Sequence, residues 1–383
     1  MVSSETYKNL EENTFSAGLQ PYSIIKSAAI YGANASGKTK LFHAFYFMRD
    51  TVLKSAAQPG GWKKKIDPFR LSTEIKTSAF ECVFILDGIQ FRYGFELNSN
   101  SGVIETEWLF RKAEREARLL YRDIDGIESS DNYFSKKISK NLKDAGMVRD
   151  DVLFVSAMAA WNDPLSKKIL EWFDNSRVLS ASLDNFLSYT ADKLNTPMKT
   201  KILALMKGAD LGIDNFYNPD IDKPGEIHTA HKVFDDNYIS DSNVEFIMHL
   251  DESYGTMRMF ALSAPIIEAL ENGWVLWIDE IDNGLHSDLI ESIVRLFHSP
   301  VSNPKNAQLI INTHNISLLD NPDIFRRDQI YLVSKDRYGA STLKALSDFS
   351  GLRETSKIGK LYREGRFGAV PYLYDMEPEN IQL

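Results

Sequence analysis

The sequence of 383 residues contains a single cysteine, Cys82. One thiol excludes an intrachain disulfide and a metal site built from clustered thiolates, and it suits a reducing compartment. Four of the histidines could act as metal ligands by residue type, but their positions show no metal-ligand spacing. They are His43, His228, His231 and His249.

Long apolar runs are also missing. No stretch of about eighteen apolar residues occurs, as a membrane-spanning helix would require. The first residues, MVSSETYKNLEEN, are acidic and polar, whereas a signal peptide begins basic and continues apolar. We therefore expect a cytoplasmic protein with no membrane partner. No internal repeat or long heptad run is present, which argues against an extended coiled-coil arm.

The chain has fewer basic than acidic residues, and its formal net charge is −9 at pH 7. This balance argues against wrapping duplex DNA with the whole surface, since phosphate neutralisation needs clustered Lys and Arg. Two local basic clusters exist, and we interpret them as solvated faces of mixed sign, with a nucleic-acid patch as the alternative. They are Lys54 with Lys63, Lys64 and Lys65, and Arg111, Lys112, Arg115 and Arg118 beside Glu114 and Glu116.

The overall composition is that of a soluble folded protein. With 43% hydrophobic, 11% aromatic and 25% charged residues, disordered and collagen-like classes are excluded. The length allows two domains or one large domain with an insertion. Composition does not choose between them.

The pattern along the chain predicts strands alternating with helices at both ends. Residues 27–30 form a short apolar strand that precedes a helical stretch, and FECVFILDGIQFRYGFEL alternates around Asp87 and Gly88 as in a hairpin. From Arg258 onward, a helix stopped near Gly273 is followed by WVLWIDEI, DLIESIVRLFH, AQLIINTH and DQIYLVSKD. This alternation predicts a mostly parallel sheet with helices on both faces.

A phosphate-binding loop stands between the first strand and the first helix. GANASGKT fits G-x-x-x-x-G-K-[ST] in the context that this motif requires. Its backbone N–H groups and the helix N-terminus would cradle phosphates, Lys38 would reach the β- and γ-phosphates, and the Thr39 hydroxyl would bind Mg²⁺. The residues assigned to ATP here are Gly32, Ala33, Asn34, Ala35, Ser36, Gly37, Lys38, Thr39 and Lys40.

Two further polar ends of strands complete the predicted site. Asp279 and Glu280 follow an apolar strand, where Asp279 would hold Mg²⁺ through water and Glu280 would act as the general base. His314 follows the next strand, where it would donate to the γ-phosphate as charge develops. We therefore predict Lys38, Glu280 and His314 as catalytic residues, and Thr39 and Asp279 as metal ligands.

The order GANASGKT, ESYGTMRMF, VLWIDEIDNGLH and INTH resembles ABC-type ATPase heads of the Smc and RecF kind. It is most similar to AAA-family ATPases of bacterial abortive-infection systems, which the phrases LSAPIIEALENG, FRRDQIYLVSKDRYGAS and YREGRFGAVPYL also resemble. Heads of this family usually begin with a strand that ends in a phrase like NFRSF. No such phrase precedes the phosphate loop here, so the adenine contact stays unassigned.

The resemblance implies that two ATP molecules are sandwiched between two subunits. Ser253 and Gly255 would then contact the γ-phosphate of the opposite subunit, although an N-cap followed by a glycine turn explains the same local sequence. The loop with His286 would cross the dimer interface, or His286 would simply begin a helix. Arg326, Arg327 and Asp328 match the family pattern, either as an internal ion-pair network or in nucleotide sensing.

The predicted fold class is α/β, a P-loop NTPase of the ABC-ATPase head type. Its mixed sheet carries an antiparallel β-region and a largely helical insertion. We divide the chain into an N-terminal part of the head (1–104), a mainly helical insertion (105–240), a C-terminal part of the head (241–346) and a surface fringe (347–383).

The leading functional hypothesis is an ATPase, at least a homodimer, that acts as the sensor or regulator of an antiviral defence module. Its partner would be an effector such as a nuclease or toxin. One alternative is a DNA-maintenance ATPase of the RecF or Smc kind that clamps DNA, which predicts a basic groove and salt-dependent DNA binding. A second is an adaptor that binds ATP only to dimerise.

Overall fold

The structure of the chain, a computed structural model, alternates strands and helices over most of its length. It describes residues 1, 3, 9–18, 23–74, 77–144, 146–179, 184–209, 211–217, 226–236, 242–353 and 356–370. The strands are β1 (Thr14–Phe15), β2 (Ile24–Ile25), β3 (Ser27–Gly32), β4 (Thr77–Leu86), β5 (Ile89–Asn98), β6 (Ile104–Lys112), β7 (Glu116–Asp123), β8 (Gly126–Ser129), β9 (Ser176–Leu179), β10 (Ile213–Tyr217), β11 (His228–Val233), β12 (Ser242–Ile247), β13 (Val275–Ile278), β14 (Gln308–Asn312), β15 (Ile330–Lys335) and β16 (Ser341–Ala345).

The helices are α1 (Lys38–Lys54), α2 (Lys136–Asp144), α3 (Phe154–Ala160), α4 (Pro164–Asp174), α5 (Asp184–Lys193), α6 (Met198–Gly208), α7 (Met248–Asp251), α8 (Tyr254–Asn272), α9 (Ser287–His298), α10 (Ser317–Asp320) and α11 (Ile358–Arg363). Helix α8 ends at Asn272, and Gly273 follows it with a φ of +74°, which suits a glycine C-cap, as the sequence predicted. No helix in the described part of the chain has both the length and the apolarity of a membrane span.

A six-stranded sheet of described residues, in the order β16-β15-β3-β14-β13-β9, forms the centre of the fold. Strands β15, β3, β14, β13 and β9 are parallel, and β16 pairs antiparallel with β15. The strands β3, β13 and β14 are short apolar runs, as expected for strands covered on both faces. Their carboxyl ends lie at one edge of the sheet, where the residues that follow them meet. The predicted α/β fold class with a mixed sheet is confirmed.

Side chains that alternate along β3 enter two different cores. Ala29 and Tyr31 pack into the large core that includes residues of α8 and α9, whereas Ile30 packs with Phe42 of α1 on the opposite face. The ring of Trp277 stands edge-on to Phe42 at 5.2 Å between ring centres. These aromatic contacts fix α1 against the sheet directly after the phosphate loop.

A five-stranded antiparallel sheet, formed in order by β4 to β8 among the described residues, packs over α1, α3 and α4. Its first hairpin turns at Asp87 and Gly88, whose φ angles are +51° and +74°. This hairpin was predicted and is confirmed. The buried carboxylate of Glu107 on β6 accepts hydrogen bonds from the backbone nitrogens of Phe154 (2.6 Å) and Val155 (3.1 Å), so it caps the start of α3.

The segment 105–240 contains more β-structure than its sequence predicted. Strands β6, β7 and β8 continue the antiparallel sheet that begins at β4, so the boundary at residue 104 falls at the start of a strand. Strand β9 is an edge of the central sheet, and β10 and β11 form a second antiparallel sheet with β12. The strands were missed because they are short or carry charged residues on a solvated face, and pairing with neighbours outweighs local preference. Helices α2 to α6 make up the helical part.

The C-terminal stretch is a correction to the prediction of a surface fringe over 347–383. Ile358, Tyr362, Phe367 and Ala369 are buried in the large core. The ring of Tyr362 packs edge-on against Tyr31 of β3 at 6.0 Å between ring centres. Apolar residues of α11 and of the segment that follows it therefore complete the core beside β3. Residues 371–383, with the acidic end of the chain, lie outside the described residues.

Candidate active site

The phosphate loop connects β3 to α1 and depends on glycine at its last turn. Gly37 has a φ of +109°, and a Cβ atom there would lie 2.6 Å from Ser341 Oγ. The Ser341 hydroxyl donates a 2.6 Å hydrogen bond to the carbonyl oxygen of Ser36. Strand β16 thus contacts and supports the phosphate loop. Glycine is the only residue type that fits at position 37, between the loop and β16, without strain.

Lys38 is buried at the start of α1, and its ammonium group is satisfied by the loop itself. Its Nζ donates to the carbonyl oxygens of Gly32 (2.8 Å) and Ala33 (3.1 Å). Burial lowers the pKa of Lys38, while the carboxylates of Asp282, Glu280 and Asp279 act to raise it. The lysine charge therefore lies within the field of the second motif. Lys40 differs, because its exposed side chain forms an ion pair with Asp67.

Asp279 follows β13 and lies next to the helix that begins at Lys38. Thr39 Oγ1 donates to Asp279 Oδ1 over 3.4 Å, and the amide nitrogen of Asn312 donates to the same oxygen. Burial raises the pKa of Asp279, and the hydrogen bond from Asn312 opposes this shift. A hydroxyl and a carboxylate oxygen are the hard donors that Mg²⁺ takes in proteins, so these two residues fit a magnesium site.

Glu280 is held in a strained backbone conformation, with a φ of +50°. Its nitrogen donates a 2.5 Å hydrogen bond to Asn312 Oδ1, and its carbonyl oxygen accepts from the guanidinium of Arg258 over 3.4 Å. Arg258 is 1% exposed and also donates to the carbonyl oxygen of Asp279 over 3.1 Å. Contacts from β14 and α8 therefore fix the position from which the Glu280 side chain enters the site.

His314 lies just beyond the end of β14. In the sheet, β14 and β15 lie on opposite sides of β3, the strand that leads into the phosphate loop. The backbone nitrogen of His314 donates to Asp282 Oδ2 over 3.0 Å, which ties the ends of β13 and β14 together. Burial, together with the charge of Lys38, lowers the pKa of His314. The imidazole is therefore neutral at pH 7, with a nitrogen that can donate one hydrogen bond.

One cavity of about 1050 Å³ joins most of these groups. Lys38, Thr39, Glu280 and His314 all line it, and Asp279 lies behind Thr39. The remaining predicted phosphate-loop residues that line it are Asn34, Ala35, Ser36, Gly37 and Lys40. The cavity is thus surrounded by a lysine, a hydroxyl–carboxylate pair, a second carboxylate and a neutral histidine. These are the kinds of groups that phosphoryl transfer to water requires.

Ser253 and Gly255 do not belong to that cavity. Ser253 is exposed at the start of α8, and its Oγ accepts a 3.0 Å hydrogen bond from the backbone nitrogen of Thr256. This is the N-cap geometry that the simpler interpretation predicted. A Cβ at Gly255 would lie 2.6 Å from the carbonyl oxygen of Gly284, so the loop after Glu280 contacts the start of α8 directly. In the described part of the chain, no hydrogen bond joins either residue to the phosphate loop.

The other residues singled out by the resemblance have structural partners. His286 is the N-cap of α9, with Nδ1 accepting a 3.3 Å hydrogen bond from the backbone nitrogen of Asp288. Arg326 forms a buried ion pair of 2.8 Å with Asp328. Arg327 donates to the carbonyl oxygen of Leu352 over 3.0 Å. These contacts favour the internal network over nucleotide sensing.

Two residues of the site were given no role by the sequence. Asn312 and Arg258 lie inside the phrases INTH and ESYGTMRMF. The residue pattern around each one does not indicate which groups its side chain contacts. A buried asparagine at the last position of an apolar strand is the signal that could have indicated Asn312, because buried amides require partners. Arg258 gives no such signal, since its partners are backbone carbonyl groups.

A family model described as "AAA domain, putative AbiEii toxin, Type IV TA system" matches residues 27–320. The chain belongs to this family. The match runs from β3 to the end of α10 and so includes the phosphate loop, both carboxylates and His314. It shows a P-loop ATPase family, which implies nucleotide binding.

Among the solved structures, the SMC head domain from Thermotoga maritima is similar to this chain at 13% sequence identity. The alignment covers 87% of this chain and 95% of that one, with a TM-score of 0.41. No match was found among the curated proteins.

Proposed function

We propose that this chain binds ATP with Mg²⁺, hydrolyses it to ADP and phosphate, and uses the cycle to join and separate two copies of itself. The observation that carries the proposal is the convergence of Lys38, Thr39, Glu280 and His314 on one cavity, from three parallel strands of one sheet. The family supports nucleotide binding. Turnover and association are the steps to be tested.

Each side chain has a defined part in the proposed reaction. Lys38 exchanges its bonds to the loop carbonyls for oxygens of the β- and γ-phosphates. Glu280 takes the proton of the water that attacks the γ-phosphorus, and the bond to the bridging oxygen breaks to release ADP. His314 donates to the γ-phosphate oxygen as negative charge develops. Thr39 and Asp279 would hold Mg²⁺, which would supply positive charge to neutralise the phosphates.

The exposed start of α8 supports the association of two heads. Ser253 is exposed at the N-terminus of α8, which is the positive end of the helix dipole, and it does not line the cavity of the chain's own phosphate loop. The γ-phosphate of ATP on a second copy is the ligand that such a surface suits. ATP then binds between two heads, and hydrolysis weakens the contact.

The first experiment measures molar mass in solution with and without ATP for the wild type, Glu280→Gln and Lys38→Ala. Glu280→Gln is expected to hold the ATP-bound pair longer, because it binds ATP but cannot activate water. Lys38→Ala is expected to stay in the nucleotide-free state. A wild type whose mass ignores ATP while hydrolysis proceeds would exclude ATP-driven association and leave the ATPase intact.

We further propose that the ATPase regulates an effector, such as a nuclease or toxin, in an antiviral defence module. Support comes from the family description, which refers to a toxin of a Type IV toxin–antitoxin system. The test is phage plating on cells that carry this gene with its neighbouring genes, for wild type and Lys38→Ala. Protection that requires Lys38 supports the proposal. Equal plating efficiency with wild type, Lys38→Ala and empty vector, over a panel of phages, rejects it.

A further inference from the structure

The cavity at the phosphate loop extends beyond the groups that handle phosphate. Its walls also include the segment Asp67–Leu71, which follows α1, and the turn between β15 and β16. Its volume of about 1050 Å³ lies just above the range for small-molecule sites, which is about 300–1,000 Å³. A triphosphate alone does not require such a space, so a further part of the ligand has room there.

Contacts at both ends hold the segment Asp67–Leu71 across this cavity. Asp67 forms ion pairs with Lys40, in the first turn of α1, and with Arg70 at 3.2 Å. Leu71 packs on Gly339, where a Cβ atom would lie 2.4 Å from Leu71 Cδ1. Gly339 has a φ of +85°, so the turn between β15 and β16 both needs glycine and leaves room for the leucine.

That same turn is tied to the phosphate loop. Lys335 Nζ donates to the carbonyl oxygen of Ala35 over 3.2 Å, and Ser341 Oγ donates to that of Ser36 over 2.6 Å. The wall carrying Leu71 and the loop that receives phosphates therefore share one support. Their separation is set by strands of the central sheet.

Two large apolar side chains of this segment are left uncovered. Phe69 is 51% exposed and Leu71 is 69% exposed, and both line the cavity. An exposed aromatic ring beside a phosphate site offers a flat apolar face, on which a nucleotide base stacks. Covering both side chains removes apolar surface from water, which favours binding.

We propose that Phe69 and Leu71 form the base-binding part of the nucleotide site. The base of the nucleoside triphosphate stacks on Phe69 and contacts Leu71, while the loop from Gly32 to Thr39 binds the phosphates. This inference rests on the proposed ATP binding, and it supplies an adenine contact, which the sequence motifs left unassigned.

The test compares ATP with inorganic tripolyphosphate, which carries the phosphates without a base. Binding of each is measured by calorimetry for the wild type, Phe69→Ala, Leu71→Ala and Lys38→Ala. Phe69→Ala is expected to weaken ATP binding by about 5- to 100-fold, the usual effect of losing an aromatic stacking partner. Its tripolyphosphate binding is expected to stay within about twofold of wild type, whereas Lys38→Ala weakens both ligands.

Tyr338→Ala serves as the matched control, because Tyr338 is a 64% exposed aromatic residue beside Gly339 that does not line the cavity. It is expected to bind ATP like the wild type. Phe69→Trp keeps a stacking face and is expected to restore ATP binding. Since Phe69 is half exposed, these variants are expected to fold, and thermal melting of each one checks this.

Each remaining outcome has a definite meaning. If Phe69→Ala and Leu71→Ala bind ATP as the wild type does, the base does not lie on this wall and the inference is wrong, with the phosphate site intact. If they weaken tripolyphosphate as much as ATP, they act through the phosphate loop, and the inference is again wrong. If the wild type binds neither ligand, the proposed function itself fails.

Discussion

The side-chain oxygen of Asn312 accepts a 2.5 Å hydrogen bond from the backbone nitrogen of Glu280. Its amide nitrogen donates to Asp279, so one neutral side chain orients both carboxylate residues of the site. The amide is buried between the ends of β13 and β14. The two roles proposed for this pair, metal binding and proton abstraction, would thus depend on a residue that is neither acid nor base.

Asn312→Ala is expected to lower kcat by about 10- to 100-fold with little change in ATP affinity, because Glu280 loses the contact that fixes its strained backbone. Steady-state hydrolysis and ATP titration measure the two effects separately. Asn141→Ala, an exposed asparagine on α2, is the control and should match the wild type. A change confined to ATP affinity would contradict this role for Asn312.

Gly284→Ala is expected to lower the free energy of unfolding by about 1–3 kcal/mol and to weaken ATP-driven association. Gly284 has a φ of +80°, and a Cβ there would lie 2.4 Å from the ring of Tyr254 at the start of α8. Gly368→Ala is the control, since its φ is +65° but no atom lies within 4 Å of the added Cβ. Chemical denaturation should therefore show a smaller loss for Gly368→Ala, of about 1 kcal/mol. Equal losses of unfolding free energy in the two variants would mean that the clash with Tyr254 does not contribute to the destabilisation.

His231→Ala is expected to weaken ATP-driven association several-fold. His231 Nε2 lies 2.6 Å from Glu252 Oε1, and Thr229 donates to the same oxygen, so β11 holds the residue that precedes Ser253. Losing this contact frees the start of α8. His228→Ala on the same strand is the control, because its ring faces Glu226 and Glu245 instead. Sedimentation at several protein concentrations measures the effect, and identical dissociation constants would exclude the coupling.

Protein stability is expected to fall below pH 6.5 because of His298. Burial, with Lys26 and Arg295 nearby, lowers the pKa of His298 from 6.5 to about 3. A base with a lowered folded pKa contributes its full stability above the unfolded pKa and loses it as pH falls. The expected loss is about 1.4 kcal/mol per pH unit between pH 6.5 and 3.

The variant His298→Gln should flatten this part of the stability profile, and His249→Gln, at an exposed position, should not. Unfolding by urea at a series of pH values provides the measurement. The neutral ring fits its surroundings, because Ser27 Oγ lies 2.6 Å from Nε2 while accepting a 2.9 Å hydrogen bond from Gln329. A neutral imidazole nitrogen can accept the serine proton in this contact. A slope in His298→Gln equal to the wild-type slope would assign the acid sensitivity to other groups.

The central fold was predictable because its sequence signals are local. The phosphate loop, the hairpin at Asp87 and the apolar strands before Asp279 and Thr313 each occupy one short segment. The placement of these segments follows from the rule that parallel strands bring their carboxyl ends together. The family match and the six-stranded sheet confirm the fold class.

The parts that were missed depend on partners distant in the chain. Strand β9 is four residues long, and only its pairing with β13 makes it a strand. Tyr362 becomes a core residue through contact with Tyr31, which no local periodicity indicates. Asn312 and Arg258 act on backbone groups of other segments, so their role follows from three-dimensional placement alone. Likewise, nothing in the sequence indicated that Phe69 and Leu71 line the same cavity as the phosphate loop.

The position of β3 in the sheet has a consequence for synthesis of the chain. Its two neighbours in the sheet are β14 and β15, and the nearer of these follows roughly 280 residues later. At about 5–20 residues per second, the ribosome therefore exposes an apolar strand without its partners for on the order of 10–60 s. During that time the backbone N–H and C=O groups on both edges of β3 are unpaired, so the strand can pair with strands of other nascent chains. The fold is therefore expected to depend on chaperones during translation, and more so when more copies of the chain are synthesised at once.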